Sequence, residues 1–132
     1  MPTVVLGYVP KPEGEAALAT SISEARLRQA DLVVVGAHRA HHGDTQARDR
    51  LQAELDDVRT RVEEAGVVVD VRHPETGLEA AEDLLNIAEE VGAELVVIGL
   101  RRRTPVGKLI LGSSAQRILL DAHCPVLAVK SD

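Results

Sequence analysis

The chain has 132 residues and a formal net charge of −6, and hydrophobic residues make up 45% of it. This length favours one domain that spans residues 1–132, and the acidic balance argues against a general nucleic-acid-binding role. No apolar run approaches about 18 residues, so we expect no membrane span. With one cysteine and no signal-peptide pattern at the start, the expected compartment is the cytoplasm.

Five runs of apolar, mostly β-branched residues predict strands. The runs are continuous and do not alternate with polar residues, which is typical of parallel strands buried on both faces of a sheet. They lie at Val4–Val9, Leu32–Ala37, Val67–Val71, Leu95–Gly99 and Val126–Val129.

Apolar residues spaced three and four apart predict four helices between these strands. Gly66 and Gly92 follow the second and third helices as C-cap glycines do, and Ser113 or Ser114 is placed to cap the last helix. The apolar stripes are Leu18, Ile22 and Ala25; Leu51, Leu55, Val58, Val62 and Ala65; Ala81, Leu84, Ala88 and Val91; and Ala115, Ile118, Leu119 and Ala122.

The order of these elements is strand and helix four times, then a final strand. It predicts an α/β fold with one doubly wound parallel sheet, right-handed crossovers and helices on both faces. In such sheets ligands bind beyond the carboxyl ends of the strands, where the strand order reverses. The segment Gly99–Ser114, GLRRRTPVGKLILGSS, follows one such end.

That segment has the order strand, glycine-bearing loop and helix N-terminus, which gathers free backbone N–H groups and favours an anion. Residues 99–132 carry a formal charge of +4, whereas the remainder carries −10. A phosphate group is therefore the first candidate ligand, although a solvated loop paired with acidic neighbours explains the charge equally well. The cations of the loop are Arg101, Arg102, Arg103 and Lys108.

Two patterns near the C-terminus match a known family. Gly99 is separated by twelve residues from the pair Gly112-Ser113, and the last predicted strand begins with the sequence HCPVLAV at residues 123–129. The run from Glu79 to Lys130 resembles the C-terminal half of a universal stress protein. ATP-binding members of that family carry Gly, two residues, Gly, nine residues, and then Gly-Ser or Gly-Thr.

The resemblance implies a five-stranded sheet of order 3-2-1-4-5 with the adenine nucleotide alpha hydrolase-like fold. It also implies a cytoplasmic homodimer with a stress-response or regulatory role, in which the final strands, Pro125–Val129 here, pair across a two-fold axis. An adenine nucleotide, ATP or else ADP or AMP, is the implied ligand. Its phosphates are expected on the N–H groups around Gly112, Ser113 and Ser114, with Arg101, Arg102 or Arg103 as counter-charges. Gly99 is expected to contribute to the same nucleotide site, and the base is expected near Tyr8 and Val35.

Two departures from the family pattern concern this ligand. Arg102 stands at the middle glycine position, where it either blocks the approach of a phosphate or replaces an N–H donor with a guanidinium. ATP-binding members usually place an aspartate at the end of the first strand, and here Leu6–Pro10 contains no acid. Tyr8 in that stretch is either a partner for the base or a residue that fills the strand end.

Other reactive side chains favour structural interpretations. His38, His41, His42 and Asp44 share one loop, but adjacent histidines rarely ligate one ion, so we expect no metal site. Cys124 precedes a predicted strand and is expected to act as a small packing residue.

Three functions are compatible with these features. The first is an adenine-nucleotide-binding module. The second is a nucleotide-free dimer of the same fold that acts through protein contacts or another small ligand. The third is an enzyme such as an ATPase, but no metal-holding carboxylate lies near the loop, and Asp121 is at the far end of the last helix, so we expect slow hydrolysis at most.

Overall fold

The computed structural model describes residues 1–36, 45–101 and 111–131. The elements in chain order are β1 Thr3–Tyr8, α1 Pro12–Arg28, β2 Asp31–Gly36, α2 Thr45–Glu64, β3 Val69–Arg72, α3 Ala80–Glu90, β4 Leu95–Leu100, α4 Ser113–Asp121 and β5 Val126–Lys130. The strands form a parallel sheet of order β3-β2-β1-β4-β5. The predicted fold class and strand order are confirmed. None of the helices in these ranges is long and apolar enough to cross a membrane.

Two apolar cores lie on opposite faces of the sheet. Helices α1 and α2 cover the face to which Leu6 and Val34 point, and α3 and α4 cover the face to which Val5 and Val33 point. Alternation along a strand sends successive side chains to opposite faces. Because both faces are covered, β1, β2 and β4 are almost wholly apolar, as the sequence indicated.

The prediction of strands buried on both faces is wrong for β3 and β5. Their residues are mostly half-buried, because each lies at an edge of the sheet. An edge strand has a neighbour on one side only, and part of its surface therefore stays in contact with solvent.

The helix boundaries follow the glycines that the sequence placed after the apolar stripes. Gly66 has φ +80° and Gly92 has φ +63°, which is the left-handed conformation that ends helices at low cost. The stripe predicted for α4 is only partly buried: Ile118 is 5% exposed, whereas Leu119 is 39% exposed. Helix α4 therefore packs on the sheet through a narrower face than its sequence predicted.

Candidate functional site

Two features of the fold lie at the carboxyl edge of the sheet. Strand β1 lies between β2 and β4, so the chain order reverses between β1 and β4, and ligands of doubly wound sheets bind at such a point. The first feature is the N-terminus of α4, which follows β4. The second is a cleft beside the end of β1, between α1 and α2.

The N-terminus of α4 offers backbone N–H donors that have no partner among the described residues. Gly112 is the N-cap residue, with an extended backbone and no capping side chain, so the prediction that Ser113 or Ser114 caps the helix is wrong. Both serines instead occupy the exposed first turn. The earliest backbone bond of the helix runs from Gln116 to the Gly112 carbonyl. The preceding N–H groups, together with the helix dipole and a first turn without acids, favour an anion.

The two outer glycines of the predicted motif have different surroundings. A Cβ built on Gly112 meets no atom of the described residues within 4 Å, whereas a Cβ on Gly99 would lie 2.2 Å from the carbonyl oxygen of Glu13. Gly99 therefore allows the first turn of α1 to pack against the end of β4. This packing explains Gly99 without a ligand, while the open space at Gly112 leaves its backbone accessible.

The basic residues around this helix start are in different environments. Arg101 directly follows β4 and is exposed, whereas Arg102, Arg103 and Lys108 lie outside the described residues. Arg117, one turn into α4, bonds Glu82 of α3 at 2.7 Å. Pairing with acidic neighbours thus accounts for Arg117, and Arg101 remains a candidate counter-charge for an anion.

The cleft beside β1 has a volume of about 570 Å³, in the range of small-molecule sites. Its apolar residues include Pro10 of the β1–α1 turn, Pro12 at the start of α1 and Ala53 of α2, and most of its charged residues are acidic. The lining residues are Tyr8, Pro10, Lys11, Pro12, Glu15, Ala53, Glu54 and Asp57.

A hydrogen-bond network joins β1, α1 and α2 at one side of this cleft. The Tyr8 hydroxyl donates to Glu15 Oε1 at 2.8 Å, and Arg61 donates to both Glu15 oxygens at 2.8 and 3.1 Å. Tyr8 itself is 2% exposed. Tyr8 therefore fills the end of the strand, as one of its two interpretations predicts. It also lines the cleft, and its role as a partner for a base stays a prediction.

This network shifts two pKa values in opposite directions. Burial and the hydrogen bond to Glu15 raise the pKa of the Tyr8 phenol well above its usual range. The Arg61 guanidinium holds the pKa of the Glu15 carboxyl below its usual value. At neutral pH the phenol is therefore a neutral donor and Glu15 is an ionised acceptor, which is the arrangement that the bonds require.

The raised pKa predicts an alkaline limit to stability. The network's contribution is fully present below the pKa of an unfolded tyrosine, about 10, and is lost as pH rises above it, because the unfolded state then binds fewer protons. Tyr8 is the one tyrosine of the chain, which has no tryptophan, so tyrosinate absorbance reports this group directly. We expect tyrosinate to form only above pH 10 when titration starts from the folded protein. Its appearance is expected to coincide with loss of the helical circular dichroism signal.

Two controls accompany that titration. In denaturant, the tyrosine absorbance is expected to titrate near pH 10. In Tyr8→Phe, the free energy of unfolding is expected to fall less steeply above pH 10 than in wild type. Tyrosinate formation at about pH 10 with the helical signal intact would contradict the buried hydrogen bond to Glu15.

The structure does not bring the side chains of Tyr8 and Val35 together. Tyr8 belongs to the core under α1 and α2, whereas Val35 is 1% exposed in the core under α3 and α4. The backbones of Tyr8 and Gly36 are register partners, so both strand ends do reach the same edge. A base near this edge would meet the backbone after Val35 and not its side chain.

Sequence reasoning missed the carboxylates that surround the end of β1. The stretch Leu6–Pro10 contains no acid, but Glu15 of α1 and Glu54 and Asp57 of α2 line the cleft. The sequence offered one signal for Glu54: it directly precedes Leu55, a residue of the predicted apolar stripe of α2. That signal shows only that Glu54 borders the buried face and does not identify what it faces.

Of the remaining candidates, only Cys124 lies in the described part of the chain. Cys124 is half-buried against the core under α3 and α4, and burial raises the pKa of its thiol, as the packing interpretation predicts. His38, His41, His42 and Asp44 lie outside the described residues. Within the described ranges no group of three or more His, Cys, Asp or Glu residues is arranged to hold a metal ion.

Comparisons with known proteins agree on one family. The model of the universal stress protein family matches residues 40–130. The chain is 44% identical to a universal stress protein of Mycolicibacterium smegmatis over 96% of each chain. It is similar in structure to a universal stress protein from Archaeoglobus fulgidus, with a TM-score of 0.82, 31% identity and 98% of each chain covered. A second Archaeoglobus fulgidus structure, solved in complex with dAMP, has a TM-score of 0.77 and 26% identity over 98% of each chain.

Proposed function

Because this chain belongs to the universal stress protein family, we propose that it binds an adenine nucleotide, ATP or else ADP or AMP, at the carboxyl edge of its sheet. The observation that carries this proposal is the N-terminus of α4 at the point where the strand order reverses, where Gly112 is the N-cap residue and no side chain of the described residues caps the helix. The dAMP complex of a related protein supports it. The protein then acts in the stress response as a nucleotide-dependent regulator in the cytoplasm.

The N-terminus of α4 and the cleft beside β1 bind different parts of the nucleotide. The phosphates lie on the N–H groups around Gly112, Ser113 and Ser114, with Arg101 as a counter-charge. The base enters the cleft, where Pro10 and Pro12 offer apolar surface. The carboxylates of the cleft disfavour a phosphate there, because like charges repel, and this sets the direction of the nucleotide.

We further propose that two copies of the chain pair through the outer edge of β5. Among the described strands, β5 ends the sheet, and no strand lies on its outer side. Its residues Val126–Val129 are half-buried in the single chain. An apolar edge with unpaired backbone groups is a surface that pairs readily with a second strand, and identical edges pair across a two-fold axis.

Two measurements test these proposals. Native mass spectrometry of freshly purified protein is expected to show dimers that carry the added mass of an adenine nucleotide. Calorimetric titration of nucleotide-stripped protein with ATP, ADP and AMP then ranks the ligands. Monomers at concentrations in the micromolar range would contradict the pairing. Absence of bound nucleotide, together with no heat from any of the three, would contradict nucleotide binding and favour a dimer that acts through protein contacts.

A further inference from the structure

Helix α4 has little apolar surface with which to hold its place on the sheet. Of its residues only Ile118 is buried, whereas Leu119 is 39% exposed and Leu120 is 82% exposed. A helix of nine residues is marginal by itself, so the orientation of α4 depends on its contacts with neighbouring elements. The start of α4 is the proposed phosphate site, and a contact that orients this helix therefore orients the site.

A side-chain hydrogen bond ties α4 to the neighbouring helix α3. The Nη1 atom of Arg117 donates to Glu82 Oε1 at 2.7 Å, and no other side-chain hydrogen bond joins α4 to another helix or strand in the described part of the chain. Glu79 and Asp121 lie 3.7 and 3.8 Å from the same guanidinium, beyond hydrogen-bond distance. Asp121 belongs to α4 itself, so Glu82 is the acceptor through which α4 is held to α3.

This bond lies near the end of α4 that forms the proposed site. Arg117 follows Ser113 by four residues, so the two share one face of the helix, and side chains of a helix tilt toward its N-terminus. Glu82 lies in the first turn of α3. Both helices lead into parallel strands and therefore start at the carboxyl edge of the sheet. The bond thus joins the N-terminal parts of two helices at the edge where the nucleotide is proposed to bind.

We propose that Arg117 is a positioning residue, which through its hydrogen bond to Glu82 fixes α4 on α3 and keeps the first-turn N–H groups of α4 directed at the bound phosphate. The proposal rests on the nucleotide-binding function proposed above. It adds a residue that acts on the ligand through the orientation of a helix. If only a fraction of the molecules hold α4 in place, the apparent affinity falls by that fraction.

The first test is calorimetric titration of four proteins with the tightest of ATP, ADP and AMP. They are wild type, Arg117→Ala, Glu82→Ala and Arg28→Ala. Arg28 is the matched control because it bonds Glu94 at 2.6 Å and is as exposed as Arg117, but it lies in the last turn of α1, at the opposite edge of the sheet. We expect Arg117→Ala and Glu82→Ala each to bind about fivefold more weakly, the upper range for a partly exposed ion pair. Arg28→Ala is expected to bind within about twofold of wild type.

The sign of the Glu82→Ala effect separates positioning from a direct counter-charge. If Arg117 acted on the phosphate by its charge, removal of Glu82 would free the guanidinium and take a negative charge away from the site, and affinity would rise. Positioning predicts that affinity falls. It also predicts that the double variant of Arg117 and Glu82 loses no more affinity than either single variant, because both substitutions break the same bond.

The reactivity of Cys124 gives a second readout that needs no nucleotide. Cys124 is the one cysteine of the chain, follows α4 closely and is half-buried against the core under α3 and α4. Movement of α4 away from that core uncovers the thiol. We therefore expect its reaction with dithionitrobenzoate to be about twofold or more faster in Arg117→Ala and Glu82→Ala than in wild type and Arg28→Ala. The first two substitutions change the local charge in opposite directions, so a faster reaction in both reports movement and not charge.

Each remaining outcome counts for or against the proposal. Unchanged or higher affinity in Glu82→Ala overturns the positioning role while nucleotide binding stands. An equal loss of affinity in Arg28→Ala reduces the effect to general stability and also overturns it. Failure of wild type to bind ATP, ADP and AMP overturns the proposed function, whereas faster thiol reaction in both variants still supports the hold of Arg117 on α4. Circular dichroism checks that all the proteins are folded.

Discussion

Gly99→Ala is expected to lower the free energy of unfolding by about 3 kcal/mol, the upper range for overpacking a close contact. A Cβ at this position would lie 2.2 Å from the carbonyl oxygen of Glu13 and 2.6 Å from its carbonyl carbon. Backbone atoms in the first turn of α1 cannot rotate away as the end of a flexible side chain does. The substitution must therefore move α1 relative to β4. Denaturant unfolding followed by circular dichroism measures the loss.

The matched control for this prediction is the same substitution at Gly112. Its backbone φ is −67°, and nothing in the described residues lies within 4 Å of an added Cβ, so the unfolding free energy should change by about 0.5 kcal/mol or less. If Gly99→Ala unfolds at the same denaturant concentration as wild type, the close packing of Glu13 on β4 is wrong. The first glycine of the motif would then need another explanation, such as contact with a ligand.

Gly112→Ala is expected to weaken adenine nucleotide binding about tenfold or more, which corresponds to about 1.4 kcal/mol. The reason is that the added methyl group takes up the space through which a phosphate reaches the N–H groups at the start of α4. Calorimetric titration with the tightest of ATP, ADP and AMP measures the change. Because the fold is expected to be unaffected, a lower affinity reports the site and not the stability of the protein.

The two glycine variants are therefore expected to affect different properties of the protein. Gly99→Ala should lose stability but bind nucleotide once the folded fraction is taken into account, whereas Gly112→Ala should keep stability and lose affinity. A further pair separates the hydroxyl from the backbone: Ser113→Ala removes a hydroxyl at the site, and Ser23→Ala removes an exposed one on α1. Unchanged affinity in both Gly112→Ala and Ser113→Ala would place the phosphates elsewhere.

The fold could be read from the sequence because its signals are local. The spacing of Leu51, Leu55, Val58 and Val62 predicts the buried face of α2, and all four are buried. Continuous apolar runs predict the central strands to within two residues at their ends. Sheet order 3-2-1-4-5 came from the family resemblance, since periodicity shows that strands are parallel but leaves their order open.

The candidate site was predicted only in part. Gly112 and Ser113 lie at the start of α4, as the motif indicated, because a helix N-terminus is itself a local feature, but the predicted serine cap is wrong. The cleft was missed because its residues come from β1, α1 and α2. Glu15 and Arg61 are 46 residues apart in the chain, and no local pattern in the sequence relates them.

Local spacing in the amino-acid sequence alone determined the helices, the central strands and the helix start that faces the carboxyl edge. Tertiary structure alone decided which groups meet at that edge. It places Glu13 against Gly99, which makes a motif glycine necessary for packing, and it joins Tyr8, Glu15 and Arg61 in one network. It also leaves Glu54 without a partner within the described residues. The physical reason is that periodicity records which face of an element is buried, whereas partners across faces depend on how helices of fixed shape pack on a twisted sheet.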